Sequence, residues 1–212
     1  VDGMILTRTY ENDKYVKFLK QKQIPFVAVG KFPDDDVVQV DHDNVGACKE
    51  LVTVLFAKGI QNIAYLGSNM DQMVNRCRYQ GYEEAYRKGK RKLNQDLVYT
   101  DLSSKAMVEK AVEELKKSGV ECILCQDDYI CDEAVRKLSH MGVRIPDQMK
   151  VASCHYSRIL ENYPVTVTSL KFNITELGRR SCQVLLDMIH GKTVPDKTLL
   201  DYEIILKEST KG

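Results

Sequence analysis

Acidic and imidazole side chains follow two apolar segments of this chain, at positions where a small ligand could bind. Asp127 and Asp128 come directly after the apolar segment 121–125, and His155 ends the next one, 149–155. Carboxylates can accept hydrogen bonds from ligand hydroxyls, transfer protons or cap a helix. Adjacent side chains diverge in direction, so we expect one aspartate to cap the following helix and the other to face a crevice. His155 would adjoin that crevice if the two strands are neighbours.

Arg78 is a further candidate, because it lies near the start of a predicted helix and follows the polar loop 67–72. A guanidinium at such a place can form paired hydrogen bonds with ligand hydroxyls or a carboxylate. Gly81 follows three residues later and would let the helix approach the sheet closely. From spacing alone a surface role for Arg78 stays open, as does a purely structural role for His155.

Seven cysteines are scattered along the chain, which is an odd number. Most lie inside predicted helices or strands, where free cysteine behaves as a small apolar residue. This pattern favours a reducing, cytoplasmic compartment. Cys122 and Cys125 form a Cys-x-x-Cys motif, but residues three apart on a strand point to opposite faces. We therefore expect no zinc or redox site, and no cofactor.

Composition excludes several other classes of protein. Among the 212 residues, 31 basic and 30 acidic side chains give a net charge of +1, so nucleic-acid binding by this segment as a whole is not indicated. No run approaches eighteen apolar residues, and no signal peptide is visible, so we expect no membrane association. Glycine-rich nucleotide loops, serine elbows and paired-histidine zinc motifs are also missing.

Apolar segments and helical patterns alternate through most of the chain. The predicted strands cover residues 1–7, 26–30, 37–41, 62–67, 97–100, 121–125, 149–155, 165–170 and 202–207. The predicted helices cover residues 12–23, 44–58, 74–88, 104–117, 130–141 and 175–190. Such alternation is typical of parallel sheets that are covered by helices on both faces. The number of strands favours two lobes over one sheet.

Several segments together carry a family resemblance. They are Val1-Asp-Gly-Met-Ile-Leu, Ile24-Pro25-Phe26, the segment 40–46, Arg78-x-x-Gly81-Tyr82, Gln126-Asp127-Asp128 with Gly142-x-x-Ile145-Pro146-Asp147, Thr166-Val-Thr-Ser with Glu176-Leu-Gly178, and Lys207-Glu-Ser-Thr. With them the chain resembles the effector-binding core of the lactose/galactose-repressor family of bacterial transcription regulators, over essentially its whole length.

The resemblance implies an α/β fold like that of periplasmic binding proteins. Two lobes, each a parallel sheet flanked by helices, would be joined by a hinge of several crossing segments. The implied N-terminal lobe comprises 1–42 with 171–192, and the C-terminal lobe comprises 43–170 with 193–212. The DNA-binding domain and the start of the first lobe would lie outside this sequence.

The resemblance also carries over individual residues. Arg78 matches the family's ligand-binding arginine, Asp127 stands where an asparagine is usual, and His155 stands where an aspartate usually takes sugar hydroxyls. A histidine can donate as well as accept, so this position departs from the family pattern. The residues near other ligand contacts are Thr7, Lys31, Leu102 and Phe172, and Tyr163 matches a position near the subunit interface.

The function implied is that of the effector-binding and dimerising part of a sugar-responsive regulator, which is expected to be a repressor. A mono- or disaccharide in the cleft would alter the affinity of a homodimer for operator DNA, bound through the missing N-terminal domain. One alternative is a sugar-binding protein that feeds a transporter. Another is a sugar-modifying enzyme that uses Asp127, Asp128 and His155 as acid and base groups.

Overall fold

A computed structural model describes residues 1–33 and 36–211. The strands over these residues are β1 Met4–Leu6, β2 Phe26–Val29, β3 Gln39–His42, β4 Ile63–Leu66, β5 Val98–Tyr99, β6 Cys122–Cys125, β7 Lys150–Ser153, β8 Thr168–Phe172, β9 Lys197–Leu200 and β10 Tyr202–Ile205. The α-helices are α1 Lys14–Gln21, α2 Asn44–Ala57, α3 Met73–Lys88, α4 Lys105–Leu115, α5 Asp128–His140 and α6 Ile174–Ile189.

The strands of the described residues form two sheets, as the sequence predicts. The first lobe has the order β1-β2-β3-β9, and all of its pairs are parallel. The second has the order β10-β8-β7-β6-β4-β5, in which only the β10–β8 pair is antiparallel. The chain crosses between the sheets after β3, after β8 and between β9 and β10. These crossings form the predicted hinge.

The second sheet is buried on both faces because its side chains alternate between two apolar clusters. Cys125 packs with residues of α4 and α5 on one face, whereas Cys122 packs with residues of α2 and α3 on the other. Each fully buried leucine or isoleucine side chain stabilises the fold by about 1.5–3 kcal/mol relative to an exposed one. The two thiols of the Cys-x-x-Cys motif therefore point away from each other, as predicted.

Helix ends follow local sequence signals. Asp13, Asp43 and Ser104 each accept a hydrogen bond from a backbone N–H in the first turn of α1, α2 and α4. Gly142 follows α5 with a φ of +66°, a conformation that glycine adopts without steric cost. In the described parts of the chain, no helix is long and apolar enough to cross a membrane.

The C-terminal region differs from the prediction in two respects. Strand β9 was not predicted, and it pairs with β3, so residues 193–200 belong with the first lobe and not the second. Its residues are only partly buried and Leu199 is exposed, so the segment lacks the apolar run of an inner strand. Strand β10 is antiparallel to β8. The reason is that β9 runs toward the hinge, and the chain then continues in the same direction into the second sheet, so that β10 runs away from the hinge.

Candidate ligand-binding cleft

A cavity of about 390 Å³ lies between the lobes, at the carboxyl ends of the strands. Both lobes supply its walls: Thr7 follows β1, Arg78 lies on α3, Asp127 follows β6, and His155 follows β7. Phe172, at the end of β8, lies at one of the crossings. The volume lies within the range of small-molecule sites, and open parallel sheets bind ligands at this edge.

Arg78 is nearly buried, with 8% of its surface exposed. Its Nη1 donates to the backbone carbonyl of Gln126 at 2.9 Å, and its Nε donates to Oδ1 of Asn44 at 3.3 Å. Its guanidinium carbon lies 6.0 Å from the ring centroid of Phe172. No carboxylate forms an ion pair with Arg78 within the described residues. A buried cation is usually stabilised by such a partner, so a ligand with several oxygens could take this role. The guanidinium is thus held in place and suited to ligand oxygens.

Gly81 sets the position of Arg78 by a contact that differs from the predicted one. A Cβ at this glycine would lie 2.4 Å from the carbonyl oxygen of Val45 and 2.8 Å from Cβ of Cys48. Both of these residues belong to α2, so the glycine permits close packing of α3 on α2 and not on the sheet. This approach brings Arg78 within hydrogen-bonding distance of Asn44.

Asp127 is the residue that caps α5. Its Oδ1 accepts a hydrogen bond from the backbone N–H of Ile130 at 2.9 Å, and its backbone is extended. Asp127 and Asp128 both line the cavity and both are half-buried. We predicted that one aspartate would cap the helix and the other would face the cleft. In the structure Asp127 does both, and Asp128 also lines the cleft.

Two histidines flank Phe172. The ring centroids of His155 and Phe172 lie 6.2 Å apart with an interplanar angle of 18°, and those of His42 and Phe172 lie 4.9 Å apart with an angle of 50°. Burial lowers the pKa of His155, the charge of Arg78 lowers it further, and the nearby aspartates oppose this. Burial also lowers the pKa of His42 and the neighbouring His155 lowers it further, whereas a hydrogen bond with the backbone of Asn173 raises it. Neutral imidazoles are therefore favoured at neutral pH.

The backbone of His155 is fixed by Ser153. The Ser153 hydroxyl donates to the His155 carbonyl at 2.8 Å and accepts from the His155 N–H at 3.2 Å. Nδ1 of His155 is buried and has no hydrogen-bond partner among the described residues. A polar atom in this condition is costly unless a ligand or water satisfies it.

Asp41 is an acid of the cleft that the ligand assignment from sequence missed. Burial raises its pKa from 3.8 to about 6, while hydrogen bonds from the His42 N–H and the Asn44 amide work in the opposite direction. The two donors lie 2.8 Å and 3.2 Å from its Oδ1. The segment 40–46 was recognised only as a crossing, and side-chain directions at a strand end do not follow from sequence spacing.

The remaining predicted ligand residues fall in three places. Thr7 lines the cleft. Lys31 instead lines a separate cavity of about 190 Å³, which shares Asp41 and His42 with the cleft. Leu102 is 7% exposed and packs in the apolar core beside α4, so its assignment to the ligand site was wrong. The reason is that its backbone N–H donates to the carbonyl of Gly67, which turns this loop inward.

Tyr163 is half-buried and lies against α5. Its hydroxyl bonds to the backbone carbonyl of Asp132 at 3.2 Å and to the carboxylate of the same residue. The side chain is therefore fixed in orientation at the surface of the second lobe. Its place in a subunit interface stays a prediction.

Acid–base chemistry finds little support in this geometry. Over residues 1–33 and 36–211, no hydrogen bond joins the His155 ring to Asp127 or Asp128. A relay between a base and the group that orients it needs such a bond. No group of three or more potential metal ligands occurs in the same described residues.

Residues 52–210 match the family model of the periplasmic binding protein-like domain, and the chain belongs to that family. The similar proteins include the HTH-type transcriptional regulator CelR of Thermobifida fusca, which is 27% identical over 99% of this chain and 63% of its own length. The HTH-type transcriptional regulator MalR of Streptococcus pneumoniae is 26% identical over 98% of this chain and 63% of its own length. The chain thus spans less than two thirds of these relatives.

Solved structures of transcriptional regulators share the fold of this chain. The transcriptional regulator CelR in complex with cellobiose has a TM-score of 0.90 and 26% identity, with 99% of this chain and 66% of that chain covered. A structure described as transcriptional regulator LacI, from Bacillus cereus subsp. cytotoxis, has a TM-score of 0.91 and 26% identity, with 100% and 77% covered. The predicted resemblance to the repressor family and the predicted fold are therefore confirmed.

Proposed function

We propose that this chain is the effector-binding and dimerising part of a sugar-responsive transcription regulator that acts as a repressor. The observation that carries the proposal is the convergence of Arg78, Asp127, His155 and Phe172 on one cleft between two lobes. The similar proteins CelR and MalR are HTH-type transcriptional regulators, which supports the same function for this chain.

The chemistry of the cleft suits a sugar. Carboxylates accept hydrogen bonds from hydroxyl groups, and the guanidinium of Arg78 donates to their oxygens. Phe172 offers an apolar ring to the carbon–hydrogen face of a pyranose. A cavity of about 390 Å³ suits a mono- or disaccharide. The similar structure of CelR was determined with cellobiose, a disaccharide.

Regulation would follow from the contribution of both lobes to one site. A ligand changes the relative orientation of the lobes only if it binds one arrangement more tightly than another. In a homodimer with Tyr163 at the interface, this change would alter the affinity for operator DNA, which is bound by a part of the whole protein outside these 212 residues. We place this protein in the cytoplasm, where its DNA target would be.

A sugar-binding protein of a transport system is the second candidate, since it shares the fold. The relatives named above are regulators and not transport proteins. The buried cysteines are free thiols, which also favours a reducing compartment.

A thermal-shift screen tests the proposed function. We expect at least one of a panel of neutral sugars, sugar acids and sugar phosphates to raise the melting temperature, because a ligand at about 100 times its Kd adds about 2.7 kcal/mol of stability. Arg78→Ala should remove this shift. Arg144→Ala, at an exposed arginine paired with Asp147, should keep it. A shift that persists in Arg78→Ala would overturn the site, and no shift by any class of ligand would overturn the function.

A further inference from the structure

We infer that His42 is a specificity-determining residue of the cleft: its ring accepts a hydrogen bond from a ligand hydroxyl, which a carboxylate or phosphate oxygen at the same position could not donate, and together with the acids nearby it favours neutral sugars over sugar acids and sugar phosphates. This inference rests on the proposed function and names the class of effector. His42 is absent from the ligand residues that the sequence indicates, and only the packing at the hinge brings it to the site.

The position of His42 supports a contact with the ligand. It is the last residue of β3, immediately before the first crossing, and 4% of its surface is exposed. Its ring lies 4.9 Å from that of Phe172, centroid to centroid, and both residues line the cleft. Nε2 is buried and has no hydrogen-bond partner among the described residues. His42 is therefore a nearly buried residue of the cleft wall, and one of its ring nitrogens has no hydrogen-bond partner among the described residues.

The state of the ring decides what that nitrogen can bind. A hydrogen bond with the backbone of Asn173 opposes the lowering of the His42 pKa, and Nε2 has no hydrogen-bond partner among the described residues, so we assign the proton to Nδ1 and a lone pair to Nε2. Burial lowers the pKa of His42 and the neighbouring His155 lowers it further, which together outweigh the hydrogen bond with Asn173 and favour the neutral ring. A neutral imidazole with this tautomer accepts a hydrogen bond at Nε2. The ligand group that matches Nε2 is a donor such as a sugar hydroxyl, and a carboxylate or phosphate oxygen is disfavoured at this position.

Surrounding charges favour the same class of ligand. The carboxylates of Asp127 and Asp128 line the cavity, and Asp41 adjoins His42 in the chain. An anionic ligand would meet these groups at close range, where like charges repel. Arg78 is the cation that offsets them, and two of its N–H groups are already directed to protein oxygens. A neutral sugar can donate hydrogen bonds to the carboxylates of these aspartates without the charge repulsion that an anionic ligand would meet.

Calorimetric titration of His42 variants tests the inference. The probes are cellobiose, maltose and glucose as neutral sugars, gluconate as a sugar acid, and glucose 6-phosphate as a sugar phosphate. His42→Phe keeps a ring against Phe172 and removes the acceptor, and we expect it to weaken binding of the neutral sugar about 10-fold, a typical effect for one buried hydrogen bond. His42→Asn, which retains an acceptor oxygen, should weaken binding less. His190→Phe, at an exposed histidine, is the matched control.

The outcomes separate this inference from the proposed function. A neutral sugar that binds the wild type and loses affinity in His42→Phe, with unchanged thermal unfolding of that variant, supports both. Binding of gluconate or glucose 6-phosphate alone, or equal affinity of the wild type and His42→Phe for a neutral sugar, overturns the role of His42 and leaves the proposed function standing. Binding of none of the probes overturns both.

Discussion

At the scale of single residues, the cleft contains polar groups whose burial is energetically unfavourable. Asp41 is the clearest case, because burial raises its pKa from 3.8 to about 6. Nε2 of His42 and Nδ1 of His155 are others, because neither has a hydrogen-bond partner in the part of the chain that the structure describes. Protein interiors usually satisfy such groups, and exceptions concentrate at functional sites. This pattern supports a binding role for the residues at the ends of β3 and β7.

The raised pKa of Asp41 predicts a pH-dependent stability. Its folded pKa lies above the unfolded value of 3.8, so the folded state holds the proton more tightly, and the free energy of unfolding falls as pH rises from 3.8 through about 6. A shift of about two units corresponds to about 3 kcal/mol, an upper bound. Asp41→Asn should remove this loss and be more stable than wild type at pH 7.

Urea unfolding of Asp41→Asn and wild type at several pH values measures this difference. The gap should widen from about pH 4 to pH 7 and then stay constant. Asp2→Asn, at an exposed aspartate, is the control and should follow the wild type. A constant gap across the whole pH range would show that Asp41 is not the titrating group.

At the scale of elements, most helices and inner strands could be predicted from sequence because periodic apolar side chains specify them. Strand β9 could not, since its side chains are only partly buried and carry no such pattern. The residues that line the cleft were predicted in part. Arg78 and Asp127 follow from motifs at element ends, whereas Leu102 turns into the core and His42 gains its place by packing at the hinge. Those features depend on side-chain direction, which spacing does not determine.

The close packing of α3 on α2 gives a prediction for Gly81. In Gly81→Ala the new Cβ would lie 2.4 Å from the backbone carbonyl of Val45, so α3 must shift. Overpacking typically costs about 1–3 kcal/mol, which outweighs the gain of about 1 kcal/mol that alanine brings to a helix. We expect lower stability in denaturant unfolding and weaker sugar binding, because Arg78 moves with the helix.

Gly178→Ala is the matched control for this substitution. Gly178 also lies inside a helix, α6, but a Cβ there would meet no atom of residues 1–33 or 36–211 within 4 Å. This variant should be more stable than the wild type by up to about 1 kcal/mol. If both variants changed stability in the same direction, the helix contact at Gly81 would not be the cause.

At the scale of the whole molecule, the lobes contact each other beyond the crossings. The N–H of Met73 donates to the carbonyl of Thr9 at 3.2 Å, and the guanidinium of Arg76 pairs with the carboxylate of Glu11 at 2.8 Å. These contacts join the segment after β1 to the start of α3, which also carries Arg78. On the proposed function, we expect these contacts to link the orientation of the lobes to the position of α3.

The proposed dimer gives a prediction for Tyr163. We expect Tyr163→Ala to weaken self-association at least about 10-fold, since aromatic anchors often dominate interface energies. Sedimentation velocity over a range of protein concentrations measures this. Tyr15→Ala, at an exposed tyrosine on α1, should leave association unchanged. A wild-type protein that stays monomeric at all concentrations, or equal effects of both variants, would contradict the placement of the interface at Tyr163.

The crystal structure of the complex with the sugar that gives the largest thermal shift tests the central claim most directly. The account predicts the sugar in the cleft between the lobes, with its oxygens within hydrogen-bonding distance of Arg78, Asp127 and His155 and one hydroxyl on Nε2 of His42. A sugar bound instead in the cavity beside Lys31, or on the outer surface of one lobe, would contradict it.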